Sequence, residues 1–271
     1  MTQTILITGA SSGIGKATAK YFQEKGWNVI ATMRSPEKES DLTKLDNVLV
    51  THLDVQDSAS IKKAVTTGIE TFGKIDVLLN NAGYGSYGVL EATPMEKIQR
   101  QFDVNVIGLL EATKAVLPHF RENKNGVIIN ISSIGGKMSF PLGTLYHGSK
   151  FAVEGLSEAL SFEMESIGVK VKIVEPGMIK TDFGGRSLDF NNDENLTEYQ
   201  ELVGKVFAAL GPLAESGSEA DVVAEVIYQA ATDGTNQLRY TAGPDAVEIV
   251  ANRKAADDET FIGGIKAQFG L

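Results

Sequence analysis

Apolar runs recur along this chain at helix-length intervals, and they are nearly continuous rather than alternating. They read TILITG, NVIATM, NVLVTHLDV, IDVLLNNAG, GVIINISS and VKVKIVEPG, with a weaker LRYTAG later. A strand wetted on one face alternates apolar and polar residues, whereas an unbroken β-branched run belongs to a strand covered on both faces. Between the runs lie amphipathic segments such as GKATAKYFQEKG and SASIKKAVTTGIETFG. This order predicts right-handed crossovers and an α/β fold, a doubly wound parallel sheet of about seven strands with helices on both faces.

The 271 residues carry no internal repeat, low-complexity linker or shift of composition, so one domain over 1–271 is expected. Cysteine is absent, which removes disulfides and thiolate metal sites and fits a reducing compartment. His52, His119 and His147 are scattered, so no metal site is expected. The formal charge of −10 argues against nucleic acid as a partner, because phosphate binding needs a basic surface. An apolar strand starts almost at once, leaving no room for a signal peptide, and no apolar run reaches membrane-span length. A soluble, cytoplasmic protein is the expectation. Helix starts are expected at Thr93 (with Pro94 and Glu96), at Thr197 with Gln200, and at Ser218 with Asp221, each as a capping box.

The segment TGASSGIGKAT after the first strand has two readings as a phosphate grip. A triphosphate loop requires G-x-x-x-x-G-K-[ST]. Here Ala10 stands at the first glycine and Ala17 at the magnesium-binding hydroxyl, so that reading fails. As a dinucleotide turn, Gly9, Gly13 and Gly15 would let backbone amides approach a pyrophosphate at a helix N-terminus. A tight strand–helix turn without a ligand is the alternative.

The register T-G-x-x-x-G-x-G resembles the short-chain dehydrogenase/reductase family, whose members have a Rossmann fold. Further segments match in the family's order: Asn80-Asn81-Ala82-Gly83, the Y-x-x-x-K pair Tyr146 and Lys150, and Pro176-Gly177 followed by Thr181. Single-handed, each motif is common; their ordered conjunction is specific. A weaker resemblance, through ATMR and TGASSGIG, runs to hydroxysteroid and retinol dehydrogenases.

Tyr146 and Lys150 are four apart and share one helix face. A free tyrosine titrates near pH 10, and a base near pH 7 would need about 4 kcal/mol of phenolate stabilisation. One positive charge at about 4 Å in an effective dielectric of about 20 supplies roughly that, so Lys150 is expected to draw the Tyr146 phenol down. The resemblance implies that Tyr146 exchanges the proton with the substrate oxygen, that Lys150 also holds the cofactor ribose, and that an upstream serine orients the substrate oxygen. Ser133 has the implied spacing, and Ser132 would face the other side of the strand. Asn105 matches the family asparagine that supports a water relay. His147, one residue along the helix, points about 100° away and is read as peripheral.

The resemblance also implies a cofactor set: Gly9, Ser11, Ser12, Gly13, Ile14 and Gly15 at the turn, Asp54 and Val55 at the adenine, and Asn81, Ala82 and Gly83. Tyr146, Lys150, Pro176, Gly177, Ile179 and Thr181 complete it. An NAD-preferring fold usually places an acid about 20 residues beyond the glycines. Met33 occupies that place and Arg34 follows, able to fork onto a 2′-phosphate, with Lys38 a second candidate. NADP(H) is therefore expected. Ser12 points the other way, since many NADP-binding relatives have a basic residue there, and NAD(H) stays the alternative.

A substrate lid is expected at about 182–213, where Tyr199, Leu202, Val203, Val206, Phe207 and Leu210 form one helical stripe. Tyr84, Tyr87, Phe140, Pro141 and Leu142 are expected to complete an apolar pocket wall. The implied activity is interconversion of a carbonyl and an alcohol, with Ser133 and Tyr146 touching an apolar small-molecule substrate. A redox sensor that binds NADP(H) without turnover is the alternative. The resemblance implies a homodimer or homotetramer, paired through helices near 94–120 and 146–167.

Overall fold

The computed structural model describes residues 2–183 and 185–271, with the backbone alone at 212–215. The strands are β1 (Thr4–Ile7), β2 (Asn28–Met33), β3 (Val48–His52), β4 (Val77–Asn80), β5 (Gly126–Ile131), β6 (Val169–Pro176) and β7 (Arg239–Ala242). All neighbouring pairs are parallel, in the order β7-β6-β5-β4-β1-β2-β3. The helices are α1 (Gly13–Glu24), α2 (Ser58–Phe72), α3 (Met95–Phe102), α4 (Gly108–Asn123), α5 (Thr144–Glu165), α6 (Gln200–Glu215), α7 (Ala220–Thr232), α8 (Pro244–Ala255) and α9 (Asp258–Phe269).

The strands show why the apolar runs are continuous. Ile5 and Ile7 of β1, Val77 and Leu79 of β4, and Ile129 and Ile131 of β5 enter one core with Phe22 and Trp27. The residues between them, Leu6, Leu78 and Ile128, enter a second core with Val65, Val116, Phe120 and Met164. Successive strand residues face opposite sides, so helices on both faces favour apolar residues at successive positions. Each such side chain contributes roughly 1.5–3 kcal/mol on burial. On the first face, Phe22 of α1 meets Trp27 at 5.0 Å and Tyr228 of α7 at 5.2 Å between ring centres, both edge-on.

The order places a reversal between β1 and β4. The chain builds outward through β2 and β3, then returns to build through β4 to β7 on the other side. Connections leaving β1 and β4 therefore diverge at their carboxyl ends and open a crevice there. The expected lid segment is fastened by two short parallel pairs, Gly85–Gly88 with Leu188–Asn191 and Ile179–Lys180 with Ser218–Glu219. Gly184 and the side chains of Pro212 and Leu213, also assigned to the lid, lie outside the described residues.

None of the three expected capping boxes forms. Pro94 is the N-cap of α3, and the Thr93 hydroxyl donates to Val89 O. Thr197 opens a short 3₁₀ turn, and the Gln200 amide turns to Asp193 O and Leu196 O. Ser218 lies in a strand pair, with Glu219 as the N-cap of α7. Short polar side chains bond whichever backbone group the tertiary fold leaves nearest, and at these three sites it is not the helix start.

At the carboxyl-end half of β6, Glu175 is buried beside Glu154 of α5. Arg239 of β7 reaches Glu154 at 2.8 Å, Glu158 at 2.6 Å and Glu175 at 3.6 Å, and Lys137 is 3.9 Å from Glu154. One buried oxygen of Glu154 and one of Glu175 have no hydrogen-bond partner. Burial first, then the Glu154 charge, pushes the Glu175 carboxyl up to about 7, against the pull of Lys137 and Arg239. A carboxyl raised in the folded state holds a proton that the unfolded chain has lost. Its stabilisation is complete below the ordinary value of 4.5 and disappears as pH climbs through about 7. Between pH 6 and pH 8 this group should cost on the order of 1 kcal/mol, or about 2–4 °C in Tm. Glu175→Gln, which keeps a donor towards Glu154 at every pH, should remove that part of the decline in a thermal melt series. An unchanged pH slope in this variant would show that the pair does not share a proton.

Candidate active site

The site begins with a latch between the two central strands. Thr8, at the end of β1, accepts from the amides of Asn81 (3.0 Å) and Ala82 (3.1 Å) through its hydroxyl. The Asn81 side chain donates back to Thr8 O at 2.9 Å and Gly9 O at 3.0 Å. Gly9 has φ +72°, which an L side chain rarely adopts. Gly15 is glycine for another reason: a Cβ there would lie 2.3 Å from Gly9 O and 2.5 Å from Asn81 Nδ2. The latch thus brings strand end, turn and helix start into contact that only glycine permits.

The turn leads into α1, whose first turn has no acidic residue and whose N-cap, Ser12, makes no side-chain bond to the helix. The first amides of a helix have no partner within it, and among the described residues no side chain takes their place. With the partial positive charge of the helix start, they suit a phosphate group. Ser11 is exposed beside them, and Ile14 packs beneath against the first core. The donor set fits a dinucleotide. Thr181 lies over the turn, its methyl 3.4 Å from the Cβ position of Gly13. Pro176, Gly177 and Ile179 lie on the segment that leads from the end of β6 to Thr181.

At the end of β2, Met33 is buried and Arg34 exposed. Lys16 is committed elsewhere: it pairs with Glu39 at 3.1 Å and Asp41 at 2.8 Å. Glu39 also accepts from the amides of Asp41 and Leu42, which ties the segment after Arg34 onto α1. Neither Arg34 nor the exposed Lys38 has an ion-pair partner among the described residues. Asp54 and Val55 follow β3 in the same layer; the Asp54 carboxylate accepts from Gln56 N, and Val55 packs against Gly108.

Ser133, Tyr146 and Lys150 converge where β5 ends and α5 begins. Ser133 caps a 3₁₀ turn by accepting from Gly135 N at 3.0 Å, and its hydroxyl is near enough to the Tyr146 phenol to favour the phenolate. Lys150 is buried, donates to Ile131 O at 2.8 Å, and its Nζ is 5.8 Å from the Tyr146 ring centre. Ser132 points away, its hydroxyl buried towards Glu154 across Gly136 without a partner.

The expectation that Lys150 draws the phenol down needs correction. Burial pushes Tyr146 above its ordinary value, and the nearby Ser133 hydroxyl only partly offsets it. The same burial lowers the Lys150 amine to about 8, with the Glu154 charge opposing. Desolvation penalises both charged forms, and the ammonium spends its short bond on a backbone carbonyl. The resting pair is a neutral phenol beside a weakly held ammonium.

Asn105 is buried in a π-helical stretch, Asp103–Ile107, set between α3 and α4. Its amide donates to Tyr84 O (2.9 Å) and Ser149 Oγ (3.2 Å) and accepts from Tyr84 N (3.1 Å). Ser149 in turn donates to Tyr146 O at 2.7 Å. The asparagine thereby ties the loop after Gly83 to the helix carrying Tyr146 and Lys150. The helical pattern gave no sign of the π turn, because it shifts the backbone register without altering which residues are apolar. Ala82 and Gly83 complete this wall, with Gly83 against the Asn105 carboxamide.

His147 is buried, and its ring is taken up by the loop backbone. Its Nε2 accepts from Phe140 N at 3.1 Å and its Nδ1 pairs with Gly135 O at 3.0 Å. Burial lowers it to about 4, so it stays neutral and fully bonded, bracing the loop between Ser133 and Tyr146. Leu142 in that loop has φ +63° and its carbonyl accepts from Gly88 N at 2.8 Å.

The open side of Tyr146 is aromatic. Tyr87 lies 5.3 Å and Phe183 5.6 Å from it between ring centres. Phe140 stacks on His147 and on Phe269 of α9. Tyr84 instead lies under Arg100, with its hydroxyl buried. In the lid helix Val203 and Val206 are buried, whereas Phe207 is 48% exposed against Phe190. Tyr199 donates to Glu91 rather than facing the pocket core. Sequence reasoning missed Thr8, Ser149 and Phe183. Thr8 and Ser149 each lie within a recognised motif, and that position was the available signal.

The sequence model of the family described as short chain dehydrogenase matches residues 3–192. An uncharacterized oxidoreductase of Schizosaccharomyces pombe is 50% identical over 239 residues, covering 88% of this chain and all (100%) of that protein. A short-chain dehydrogenase from Streptomyces avermitilis superposes with a TM-score of 0.84 at 34% identity, covering 94% of this chain and 92% of its own. ElxO with NADP bound superposes with a TM-score of 0.75 at 29% identity, covering 92% of this chain and 100% of its own.

The latch has a measurable share in stability. Asn81→Ala removes two side-chain hydrogen bonds and should cost about 2 kcal/mol in urea unfolding. A loss under roughly 0.5 kcal/mol would mean that the turn holds its shape without Asn81.

Proposed function

This chain belongs to the short-chain dehydrogenase family of oxidoreductases, and we propose that it is an NADP(H)-dependent enzyme interconverting an apolar ketone or aldehyde with its alcohol. The observation that carries this reading is the convergence of Ser133, Tyr146 and Lys150 on the crevice that holds the open glycine turn. NADP(H), when bound, supplies or accepts the hydride. The turn from Gly9 to Gly15 with Ser11 and Ser12 would hold its phosphates, and Asp54 and Val55 its adenine. Asn81 to Gly83, Tyr146, Lys150, Pro176, Gly177, Ile179 and Thr181 would hold the rest. Arg34 at the end of β2, without an ion-pair partner among the described residues and with no acid in its place, supports NADP(H) over NAD(H).

In the reducing direction the Tyr146 phenol donates its proton to the oxygen of the carbonyl, which becomes the alcohol hydroxyl. Ser133 holds that oxygen by a hydrogen bond, and the Lys150 ammonium stabilises the phenolate left behind. Burial keeps Tyr146 protonated at neutral pH, which suits an acid. The Tyr87 and Phe183 rings beside Tyr146 support a substrate with apolar groups next to its carbonyl. On α5, Phe151 (47% exposed) and Phe162 (73% exposed) lie on one stripe with Gly155 between them. Pairing with a second copy would cover that stripe.

NADPH consumption over a panel of ketones and aldehydes, with NADH in parallel, tests the reading. Tyr146→Phe should lower kcat by about 10²–10⁴, and Arg34→Ala should raise the KM for NADPH tenfold or more (about 1.5–3 kcal/mol) while sparing that for NADH. NADPH binding without turnover of any carbonyl or alcohol would leave a binding protein instead. The reduction rate should fall as pH rises above about 8, where Lys150 loses its proton. A rate that holds level to pH 10 would remove Lys150 from the role given to it. Phe162→Asp should shift the sedimentation of the native protein towards the monomer, and an unchanged value would place the interface elsewhere.

A further inference from the structure

The segment that follows β6 has its backbone held from outside the region matched by the family. The Gly177 amide donates to Ala242 O at 3.0 Å. The Met178 amide donates to Asp245 Oδ2 at 2.7 Å, and the Met178 carbonyl accepts from Ser218 N at 2.9 Å. Residues 218 and 242–245 all lie beyond residue 192, where the family match ends.

Asp245 also accounts for Gly177. That glycine has an ordinary φ, so no left-handed turn requires it. A Cβ at Gly177 would lie 2.2 Å from Asp245 Oδ2 and 2.5 Å from Oδ1, so the carboxylate occupies the space a side chain would need. Asp245 sits in the first turn of α8 behind Pro244, where the helix start favours a negative charge. Its Oδ1 is nevertheless buried without a partner. An unsatisfied buried carboxylate oxygen is a cost to the fold, so stability alone is a poor account of an aspartate here. Further along the same helix, Ala246 and Val250 pack against Ile134 and Met138 in the loop after Ser133. One helix therefore braces both the serine loop and the segment from Gly177 to Thr181.

We propose that Asp245 is a positioning residue: its carboxylate, seated against Gly177, sets the backbone of residues 177–181 against the glycine turn for cofactor binding. The proposal rests on the cofactor reading above. Asp245 touches no reacting atom and works through Met178 and, beyond it, Thr181 over Gly13.

The test uses the full chain with NADPH as the probe, reading its Kd by fluorescence and the amide exchange of the 176–183 peptide without cofactor. Asp245→Ala should raise the Kd about tenfold and speed exchange by a similar factor, as expected for a lost bond to a charged acceptor. Asp245→Asn, which still offers an oxygen to Met178 N, should stay within about threefold of the parent on both measures. Gly177→Ala should weaken binding as Asp245→Ala does. Combining Gly177→Ala with Asp245→Ala should add nothing, because the space is then free. A melting temperature for each variant confirms that folded protein is compared. Unchanged exchange in Asp245→Ala, an Asn variant as impaired as the Ala variant, or additive losses in the double variant would overturn the latch. Parent protein that binds no NADPH would overturn the cofactor reading and the purpose given to the latch, while exchange alone would still decide whether Asp245 holds the segment.

Discussion

Burial of the parallel sheet on both faces is the constraint from which the site follows. A parallel strand cannot return through a tight hairpin, so each connection crosses a face and carries a helix. Every strand then needs apolar residues on both sides, as Ile5, Leu6 and Ile7 show by dividing between two cores. The groups with proposed chemical roles are left to the strand ends and the segments that follow them. Because the chain reverses between β1 and β4, the ends of these two strands meet across a crevice, and the Thr8–Asn81 latch closes its floor. Six segments with proposed roles leave the same edge of the sheet.

Placing chemistry there has an electrostatic consequence. The Tyr146 phenol, the Lys150 amine and the His147 ring are all moved towards their neutral forms, and burial is the leading cause each time. Neutral His147 can brace a loop with both ring nitrogens bonded. Neutral Tyr146 is suited to giving up a proton rather than taking one. Lys150 keeps its charge near neutral pH partly through the field of Glu154, one turn further along α5. That carboxylate belongs in turn to the cluster with Glu175 and Arg239, so the electrostatics of the crevice extend into the sheet behind it.

Reading the residues in order was sufficient for the strand count and the parallel arrangement, because continuous β-branched runs have few other uses. The glycine turn was legible through spacing, and Arg34 was singled out by the absence of an acid beside it. Asn105 was recognisable as a residue, yet the π turn that holds it was not. The three capping boxes were patterns that the tertiary fold overrode: Thr93 bonds Val89 O, Gln200 turns to Asp193 O and Leu196 O, and Ser218 is taken into a strand pair. The direction of the Tyr146 shift was misjudged because charge spacing is visible along a helix while desolvation is not.

What the sequence determined by itself was local or periodic: which segments are strands, where the chain turns on glycine, and which side chains share a helix face. Those properties depend on residues within a few positions of one another. Only the tertiary structure decided which oxygen Ser133 faces, how far Lys150 is desolvated, and why residue 177 is a glycine. Each depends on a group distant in the chain, such as Asp245, whose carboxylate fills the space beside Gly177. Distance through space sets hydrogen bonding, desolvation and steric exclusion, and it exists only once the chain has folded.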